Sequence, residues 1–543
     1  METEVLLEAG AVSRCRRRVH LDHDPAMREA ELAPPDPSAE QRIADAAAHR
    51  ADIRGRLVDA VPGSWATVPR ELPTEDRVAL TERALAEGVA YVWGALLPAD
   101  REGHRRGGAE LLIRHDGGYL PMLVVRHRIT DPGSGAVTTA PTDLDPANAV
   151  PDETRKVRSQ PRDQLRLAHL RRMLQALGLA AARPLGAVLG LDADVVLWHD
   201  LDAPTWPNGR SALAEYDVRL ADRVAVAQAA LAGGPALAEP SRILECRTCP
   251  WWPTCESELS AIRDVSLVVR GEDATELRRA GVSTVDKLAA LDPADEPPIL
   301  WTSGTFADSV ALARAWLADL TVVRKVPLVE VPRADVEVDV DMESFGESGA
   351  YLWGCLLSGV DVGFAPGYRS FVTWDPLPTV DEARSFAEFW AWLTQVRARA
   401  LAAGLTFRAY CYNAMAENRW LFGSAERFGG SPGIPAKREI QSFVDSDEWV
   451  DLFRSVSDQF LCSRGKGLKV VAPVAGFAWR DPEAGGEASM RWYRDAVGMN
   501  GGDPDPEQRE RLLRYNEDDV RATKVLREWM SGPANEIPFM GDL

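Results

Sequence analysis

Several common signals are missing from this sequence of 543 residues. No uninterrupted apolar run reaches the roughly 18–20 residues that a membrane helix needs, so we expect no membrane-spanning segment. The start, METEVLLEAG, lacks a basic region followed by an apolar stretch, so we expect no secretory signal and a cytoplasmic protein. The pattern G-x-x-x-x-G-K-[ST] is absent as well, which argues against an ATP-driven helicase, so any helicase or ATPase motor would be a separate partner chain.

A basic charge balance is also missing, because 82 Asp and Glu outnumber 62 Lys and Arg and give a formal net charge of −20 at pH 7. A passive nucleic-acid coat is normally basic, so this balance lowers the expectation of tight nonspecific DNA binding. It does not exclude an enzyme that acts on nucleic acid, since such an enzyme can carry acids for metal and confine its basic groups to a local groove. The hydrophobic share of 45% is ordinary for a globular protein, and the length predicts two to four domains.

Cysteine is infrequent, and four of the seven cysteines have an informative placement. A disulfide framework is not expected in a cytoplasmic chain of this size. Cys246, Cys249 and Cys255 form C-x2-C-x5-C, and Cys15 is the one cysteine before them. Thiolates this close repel each other or oxidise unless a metal holds them, and three ligands need a fourth.

Strands and helices alternate in both large parts of the chain, which predicts the α/β fold class. From Val326 the strand candidates VEVDVDME, GAYLWGCLL and FVTW come in series, followed by a helix over residues 381–403. Before them, LRRAGVSTVDKLAAL predicts two short helices joined at Gly281. Three domains are therefore expected, at residues 1–264, 265–325 and 326–535.

Acidic residues alternate strictly with apolar ones in VEVDVDME, residues 336–343. This predicts a strand with its valines and Met342 on one face and its acids on the other. Asp341 and Glu343 therefore point the same way, roughly 7 Å apart along the strand. Carboxylates crowded on one face repel each other, and a hard divalent cation relieves that repulsion.

Two later segments carry further candidate acids. A strand through residues 406–412 ends at Asn413, a good helix N-cap, which puts Glu417 one turn into the next helix. In a terminal helix over residues 505–530, Tyr515 and Asp519 are four apart and share a face. Alone, an acidic strand is often a solvated surface and Y-x-x-x-D is common by chance, so the order of the three elements is what favours a functional site.

This order of acids resembles the DEDD exonucleases with tyrosine, and more closely the RNase H-like ribonuclease domain found fused to RecB-like nucleases. WVDLF, GLKVVAPVAGF and YNEDDV follow that domain's order, and the resemblance covers about residues 333–530. It implies a nuclease, a 3′→5′ exonuclease acting on single strands or ends of DNA or RNA. One departure is Glu417, where the DEDD pattern has Asp.

The resemblance also implies roles for individual residues. Two-metal hydrolysis would use Mg²⁺ or Mn²⁺ held by Asp341, Glu343 and Asp519, with Glu417 completing the site. Tyr515 would orient the attacking water. Asp451 would be an accessory acid or a strand-end cap.

The cysteine pattern resembles the iron–sulfur nucleases of the RecB-like superfamily, in which a distant N-terminal cysteine and a clustered trio hold a [4Fe–4S] cluster. The resemblance implies that Cys15, Cys246, Cys249 and Cys255 staple the ends of a PD-(D/E)xK domain. A four-cysteine zinc site and plain core cysteines stay open as alternatives.

The PD-(D/E)xK site itself is expected to be degenerate. Glu110 stands near the family's Asp and Gln164 matches its Gln, but Leu123 and Val125 replace the acid and the lysine, and neither can bind Mg²⁺ or polarise water. The domain would still bind DNA ends through a set of arginines, namely Arg14, Arg16, Arg17, Arg126 and Arg128. These arginines are equally well explained as solvated or paired with acids.

The helical unit around Gly281 resembles a helix-hairpin-helix, whose turn binds DNA phosphates through backbone N–H groups. A plain helical connector is an equally good interpretation. For the whole chain, the competing hypothesis is a non-catalytic DNA-binding or scaffold protein in which both nuclease sites have eroded. Convergence of the four C-terminal acids on one point would favour the enzyme.

Overall fold

The computed structural model describes residues 4–35, 39–299, 301–302, 304–483 and 485–543. The chain divides into two compact units, Met1–Glu258 and Leu259–Leu543. The finer division of the second unit at residues 325/326 stays a prediction. Across the described residues, no helix combines the length and apolar character needed to cross a bilayer.

The first unit contains twelve of the strands named here. Helix α6 starts in this unit and ends in the second, because the boundary between the units falls within it. The strands are β1 (Trp65–Thr67), β2 (Tyr91–Trp93), β3 (Leu96–Asp100), β4 (Arg105–Gly108), β5 (Leu111–His115), β6 (Gly118–Val124), β7 (Thr130–Pro132), β8 (Ala136–Thr139), β9 (Val150–Asp152), β10 (Arg155–Val157), β11 (Leu185–Leu189) and β12 (Val196–Asp200). The helices are α1 (Arg16–His23), α2 (Ala39–Ala60), α3 (Thr74–Ala86), α4 (Pro161–Ala176), α5 (Ala212–Leu231) and α6 (Trp252–Ala261).

The second unit continues the numbering. Its strands are β13 (Val322–Arg324), β14 (Val336–Ser344), β15 (Ala350–Gly359), β16 (Gly367–Val372), β17 (Phe407–Cys411), β18 (Trp449–Asp451) and β19 (Phe460–Cys462). Its helices are α7 (Glu272–Arg279), α8 (Val285–Ala289), α9 (Phe306–Leu317), α10 (Glu382–Ala402), α11 (Met415–Arg427), α12 (Lys437–Val444), α13 (Leu452–Gln459), α14 (Leu468–Val471), α15 (Gly486–Ala496) and α16 (Pro506–Met530).

The first unit is built on a mixed sheet in the order β1-β2-β5-β6-β11-β12-β8-β9. The β1–β2 and β6–β11 pairs are parallel and the other pairs are antiparallel. All seven residues of β6 are buried, as is typical of a central strand covered on both faces. Helix α4 contacts β6 and β11, and its Leu167, Leu170 and Leu174 belong to the core of this unit.

The second unit has a five-stranded sheet in the order β16-β15-β14-β17-β18. Strands β16, β15 and β14 are antiparallel neighbours, whereas β14, β17 and β18 run parallel. The apolar face of β14 packs with Phe386, Phe389 and other residues of α10 in one core. The acidic face of β14 is covered by α16. The mixed α/β class predicted from the pattern is confirmed.

Candidate active site

Three carboxylates come together where β14 meets α16. Asp341 and Glu343 are two apart on β14 and share its acidic face, and Asp519 lies on α16. One oxygen of each lies within 4.8 Å of the others, which among the described residues is the one such group of His, Cys, Asp or Glu ligands. Glu343 and Asp519 are buried and Asp341 is half-buried. This group of carboxylates could hold a divalent cation.

Asn516 connects the two elements beside this group. Its side-chain amide donates to Asp341 Oδ2 at 2.7 Å, while its carbonyl oxygen accepts from the Tyr368 hydroxyl at 2.8 Å. Gly354 pairs with Asp341 across β14 and β15, and its missing side chain leaves room for the Asn516 amide. A Cβ atom at Gly354 would lie 1.6 Å from Asn516 Oδ1, so no larger residue fits there without moving Asn516.

The remaining acids of the same surfaces are engaged elsewhere. On β14, Glu337 and Asp339 are buried against Arg527 of α16, whose guanidinium binds both carboxylates, with 2.8 Å from Nη2 to Asp339 Oδ2. On α16, Arg480 holds Glu517 at 2.9 Å and Asp518 at 2.7 Å. Of the three consecutive acids on α16, Asp519 is therefore the one that faces the site.

Two side chains fix the site carboxylates, and the sequence did not single out either. The Trp479 indole N–H donates to Asp519 Oδ1 at 2.6 Å, and the Ser489 hydroxyl donates to Glu343 Oε2 at 3.1 Å. Each partner leaves the second oxygen of its carboxylate free of that bond. Tryptophan and serine are too frequent in structural roles to be found from one sequence.

Lys469 of α14 is the cation that faces the site. Its Nζ donates to the Tyr515 hydroxyl at 3.1 Å and lies 4.6 Å from the centre of that ring. The positive charge lowers the pKa of Asp341, Glu343 and Asp519. Lys469 lies in GLKVVAPVAGF, the segment used for the resemblance, so the signal was present although no role was read from it.

Burial dominates the electrostatics of the three acids. It raises the pKa of Glu343 to about 8 and that of Asp341 well above its usual range, and the other carboxylates raise both further. The pKa of Asp519 is raised by burial as well. Burial and the same carboxylates also raise the pKa of the Tyr515 phenol, which therefore stays protonated. The charged form of this group of acids is costly without a cation.

Glu417 stands beside the trio without joining it. It lies in the first turn of α11 and is buried, and its Oε2 has no hydrogen-bond partner in the described part of the chain. Burial, with Asp451 and Glu343 nearby, raises the pKa of Glu417 to about 8. The charge of Glu417 also raises the pKa of Asp341, so the two carboxylates are close enough to interact.

The turn before Glu417 differs from the prediction. Asn413 has a φ of 69°, a left-handed conformation, and α11 is capped by Ala414 instead. The Asp451 carboxylate accepts hydrogen bonds from the backbone N–H groups of Asn413 and Ala414, at 2.9 and 3.2 Å, and from that of Phe453. Asp451 thus caps the strand end, and the long-range bond from β18 overrides the local capping preference of Asn413.

Part of this site falls within a recognised family. Residues 434–531 match the RNase H superfamily. The matched range contains Lys469, Trp479, Ser489, Tyr515 and Asp519, and it begins after β14. No curated protein and no solved structure matches the chain. The match supports the predicted RNase H-like domain and a nuclease-like function that hydrolyses phosphodiester bonds.

Outside the RNase H-like domain, four cysteines line one pocket of the first unit. They are Cys15, Cys246, Cys249 and Cys255, and Arg17 and Arg18 lie on the same wall. None of these cysteines forms a disulfide. Burial raises the pKa of Cys246 and Cys249, and that of Cys255 to about 12. In the described residues, no three of their sulfurs all lie within 4.8 Å of one another.

The position expected for the PD-(D/E)xK site holds an ion pair. Glu110 is buried, and its Oε1 lies 3.3 Å from Arg166 of α4. Asp163, which the sequence did not single out, is 3.9 Å from the same guanidinium. Leu123 and Val125 are buried in the core, and Gln164 lies half-buried on α4.

The predicted nucleic-acid contacts divide into two classes. Three arginines have carboxylate partners, Arg16 with Asp222 at 2.9 Å, Arg17 with Glu258 at 2.6 Å and Arg126 with Asp45 at 3.0 Å. Arg14 and Arg128 have none within 4.0 Å in the described ranges. Gly281 has a φ of 85° in the turn between α7 and α8, and its carbonyl accepts from Lys287 at 3.1 Å.

Proposed function

We propose that this protein is a metal-dependent nuclease whose active site is the group of Asp341, Glu343 and Asp519, with Glu417 completing it. The observation that carries the proposal is the convergence of three carboxylates within 4.8 Å at a buried position. Their raised pKa values are the second support, because a divalent cation offsets both the repulsion and the burial. The unpartnered Glu417 oxygen is a further available ligand.

The proposed reaction adds water to a phosphodiester and yields a phosphomonoester and an alcohol. Two Mg²⁺ or Mn²⁺ ions held by these acids would activate water and stabilise the leaving oxygen. Tyr515, protonated and held by Lys469, orients the attacking water through its hydroxyl. Trp479 and Ser489 keep Asp519 and Glu343 in place. The cationic Lys469, which is exposed, attracts the phosphate.

The test is hydrolysis of end-labelled single-stranded DNA and RNA with Mg²⁺ or Mn²⁺. Wild type should cleave from the 3′ end, and Asp341→Ala and Asp519→Ala should not. Asp458→Asn, at an exposed acid on the same unit, is the matched control and should cleave normally. Unchanged activity in both site variants would refute the assignment and favour the competing scaffold hypothesis.

We also propose that Cys15, Cys246, Cys249 and Cys255 hold a [4Fe–4S] cluster in a RecB-like first unit. The support is that one pocket collects all four thiols, with Arg17 and Arg18 to offset thiolate charge. A tetrahedral zinc site with Zn–S bonds of ~2.3 Å places its four sulfurs about 3.8 Å from one another. Any three of the four sulfurs here include a pair more than 4.8 Å apart. A four-iron cluster is larger than one zinc ion and separates its cysteine sulfurs further, so it fits this spacing better. The cluster would join residues more than 200 positions apart and stabilise the fold.

Anaerobic purification tests the cluster. Iron and sulfide analysis should give four of each per chain, and Cys15→Ala and Cys249→Ala should lose them, whereas the control Cys462→Ala on β19 should not. Zinc at one equivalent, or no metal at all, would refute the proposal. Of the nucleic-acid contacts predicted from the sequence, three stay as proposals. They are Arg14 and Arg128, which have no carboxylate partner, and the turn at Gly281.

A further inference from the structure

A pocket on the first unit is lined by four arginines. Arg14 follows the 3₁₀ turn Ala9–Ser13, and Arg18 lies on α1. Arg162 lies in the first turn of α4, and Arg247 lies in the 3₁₀ turn Leu244–Thr248. These four arginines, from three parts of the chain, therefore line a single concave surface.

The acid on this lining is already occupied. Glu245 Oε2 accepts from the backbone N–H of Cys15 at 2.8 Å, and Oε1 accepts from Arg18 Nη1 at 3.3 Å. Arg14, Arg162 and Arg247 have no carboxylate within 4.0 Å in the part of the chain that the structure describes. In this chain, whose net charge is −20, neighbouring Arg16 and Arg17 are paired with carboxylates, whereas these three arginines of one pocket are not.

Guanidinium groups that converge without an acid repel each other, so the pocket favours an anion. A planar guanidinium binds two phosphate oxygens through two parallel N–H groups, which makes phosphate a better match than a spherical ion such as chloride. The N-terminus of α4, a helix of sixteen residues, contributes further positive potential beside Arg162. Ser13 and Thr248 add hydroxyl groups to the same lining.

We propose that this pocket binds a phosphate group of a nucleic-acid strand, through Arg14, Arg162 and Arg247. The inference rests on the proposed function, since it takes nucleic acid as the ligand, and it assigns the contact to a site distant in sequence from the acids. It also revises the sequence prediction. Arg16 and Arg17 form ion pairs within the protein. Arg162 and Arg247, which the sequence did not single out, contact the ligand instead.

The test measures binding apart from cleavage. The Asp519→Asn protein, purified with all cysteines intact, is titrated into a fluorescein-labelled twelve-nucleotide single strand without divalent metal. Arg162→Glu combined with Arg247→Glu should weaken binding roughly 10-fold or more and reduce the salt slope by about 0.7, the value for one phosphate on a single strand. Thermal unfolding of each variant confirms that it folds.

The matched control is Arg83→Glu combined with Arg183→Glu, which makes the same change in net charge. Both residues are exposed and lie outside the pocket. The control should bind within twofold of the parent. Equal loss in both pairs would show general electrostatics and overturn the pocket, as would no loss in the pocket pair.

Three probes separate the sources of phosphate. If loss is confined to a 5′-phosphorylated strand, the ligand is the terminal phosphate; equal loss with a 5′-hydroxyl strand assigns the backbone diester. Competition by ADP but by neither strand would refute the nucleic-acid assignment. If the wild-type protein binds the strand but never cleaves it, the proposed nuclease is overturned and the pocket stands. If wild type cleaves and the Arg162→Glu, Arg247→Glu pair does not change binding, the pocket is overturned and the nuclease stands.

Discussion

The acidic face of β14 has two halves that differ chiefly in what α16 places against them. Glu337 and Asp339 meet Arg527, and the three form a buried ion pair with Tyr410 over the guanidinium at 4.3 Å. Asp341 and Glu343 meet another acid, Asp519. Arg333 also binds Glu337, at 2.7 Å, so two cations balance the two acids of the first half, whereas the second half needs a cation from outside. Alternating acids on one strand can therefore be structural or functional, and the facing helix decides which.

The largest effect is expected where the comparison is sharpest. Asp519→Asn should lower the cleavage rate by roughly 10³-fold or more, because a metal ligand is lost. The metal-free variant should be at least as stable as wild type, because one of three repelling charges is removed. Rate and urea unfolding are measured together, with Asp458→Asn as control. A variant that is inactive because it is unfolded would contradict this interpretation.

The structural half should break differently. Arg527→Leu leaves Asp339 buried without a cation and Glu337 with Arg333 alone, and should reduce the free energy of unfolding by about 3–5 kcal/mol. Adding Glu337→Gln and Asp339→Asn should recover part of the loss. Lys524→Leu on the same helix, with its surface pair to Glu528, should cost less than about 1 kcal/mol. Similar losses for Arg527 and Lys524 would remove the distinction between the halves.

Metal should act on the functional half alone, and pH should act on it through Glu343 and on Glu417 beside it. Glu343 and Glu417 have an ordinary pKa of 4.5 and a folded pKa of about 8, so the folded state binds more protons between these values. The stability of metal-free protein should therefore fall as pH rises from about 4.5 to about 8. Mn²⁺ at a hundred times its dissociation constant should restore about 2.7 kcal/mol at pH 8, measured by thermal unfolding. A pH response unchanged in Glu343→Gln combined with Glu417→Gln would contradict this origin.

The smallest effect concerns the cation already at the functional half. Lys469→Met should reduce the cleavage rate roughly 10-fold and strengthen Mn²⁺ binding, because a competing positive charge is removed. Mn²⁺ titration by calorimetry and single-turnover cleavage measure the two effects. Lys466→Met, three residues earlier in the chain, is the control. Weaker metal binding in Lys469→Met would mean that Lys469 supports the site by structure and not by charge.

The sequence predicted β14 well because its alternation is local. The strand VEVDVDME, the helix over residues 381–403 and the terminal helix agree with β14, α10 and α16 within a few residues. Alternation also predicted which residues share a face. It could not separate Asp339 from Asp341, since the residues that distinguish them lie on α16, more than 175 positions later. Only the family order favoured Asp341 and Glu343.

What the sequence missed depends on long-range contacts. Asn413 is a good local cap, but the Asp451 carboxylate 38 positions away binds its backbone N–H instead. The partners Lys469, Trp479 and Ser489 reach the site only after the chain folds back. One signal was available in the spacings. Asp519 and Arg527 are eight apart on a helix, about 12 Å, and residues 337 and 341 are ~13 Å apart on a strand. A helix lying along the strand can therefore place Arg527 near Glu337 while Asp519 lies near Asp341.

The Arg527 ion pair also determines how α16 is aligned on β14. Sliding the helix by one turn, about 5.4 Å, would separate Arg527 from Glu337 and Asp339 and withdraw Asp519 from Asp341. One inserted residue between Asp519 and Arg527 would rotate one of them by about 100° relative to the other and separate the two contacts. Exposed residues between Asp519 and Arg527, such as Arg521, can therefore be replaced freely. The number of residues between the two is constrained, because Asp519 must stay at the active site while Arg527, two turns further along the helix, stays in its ion pair.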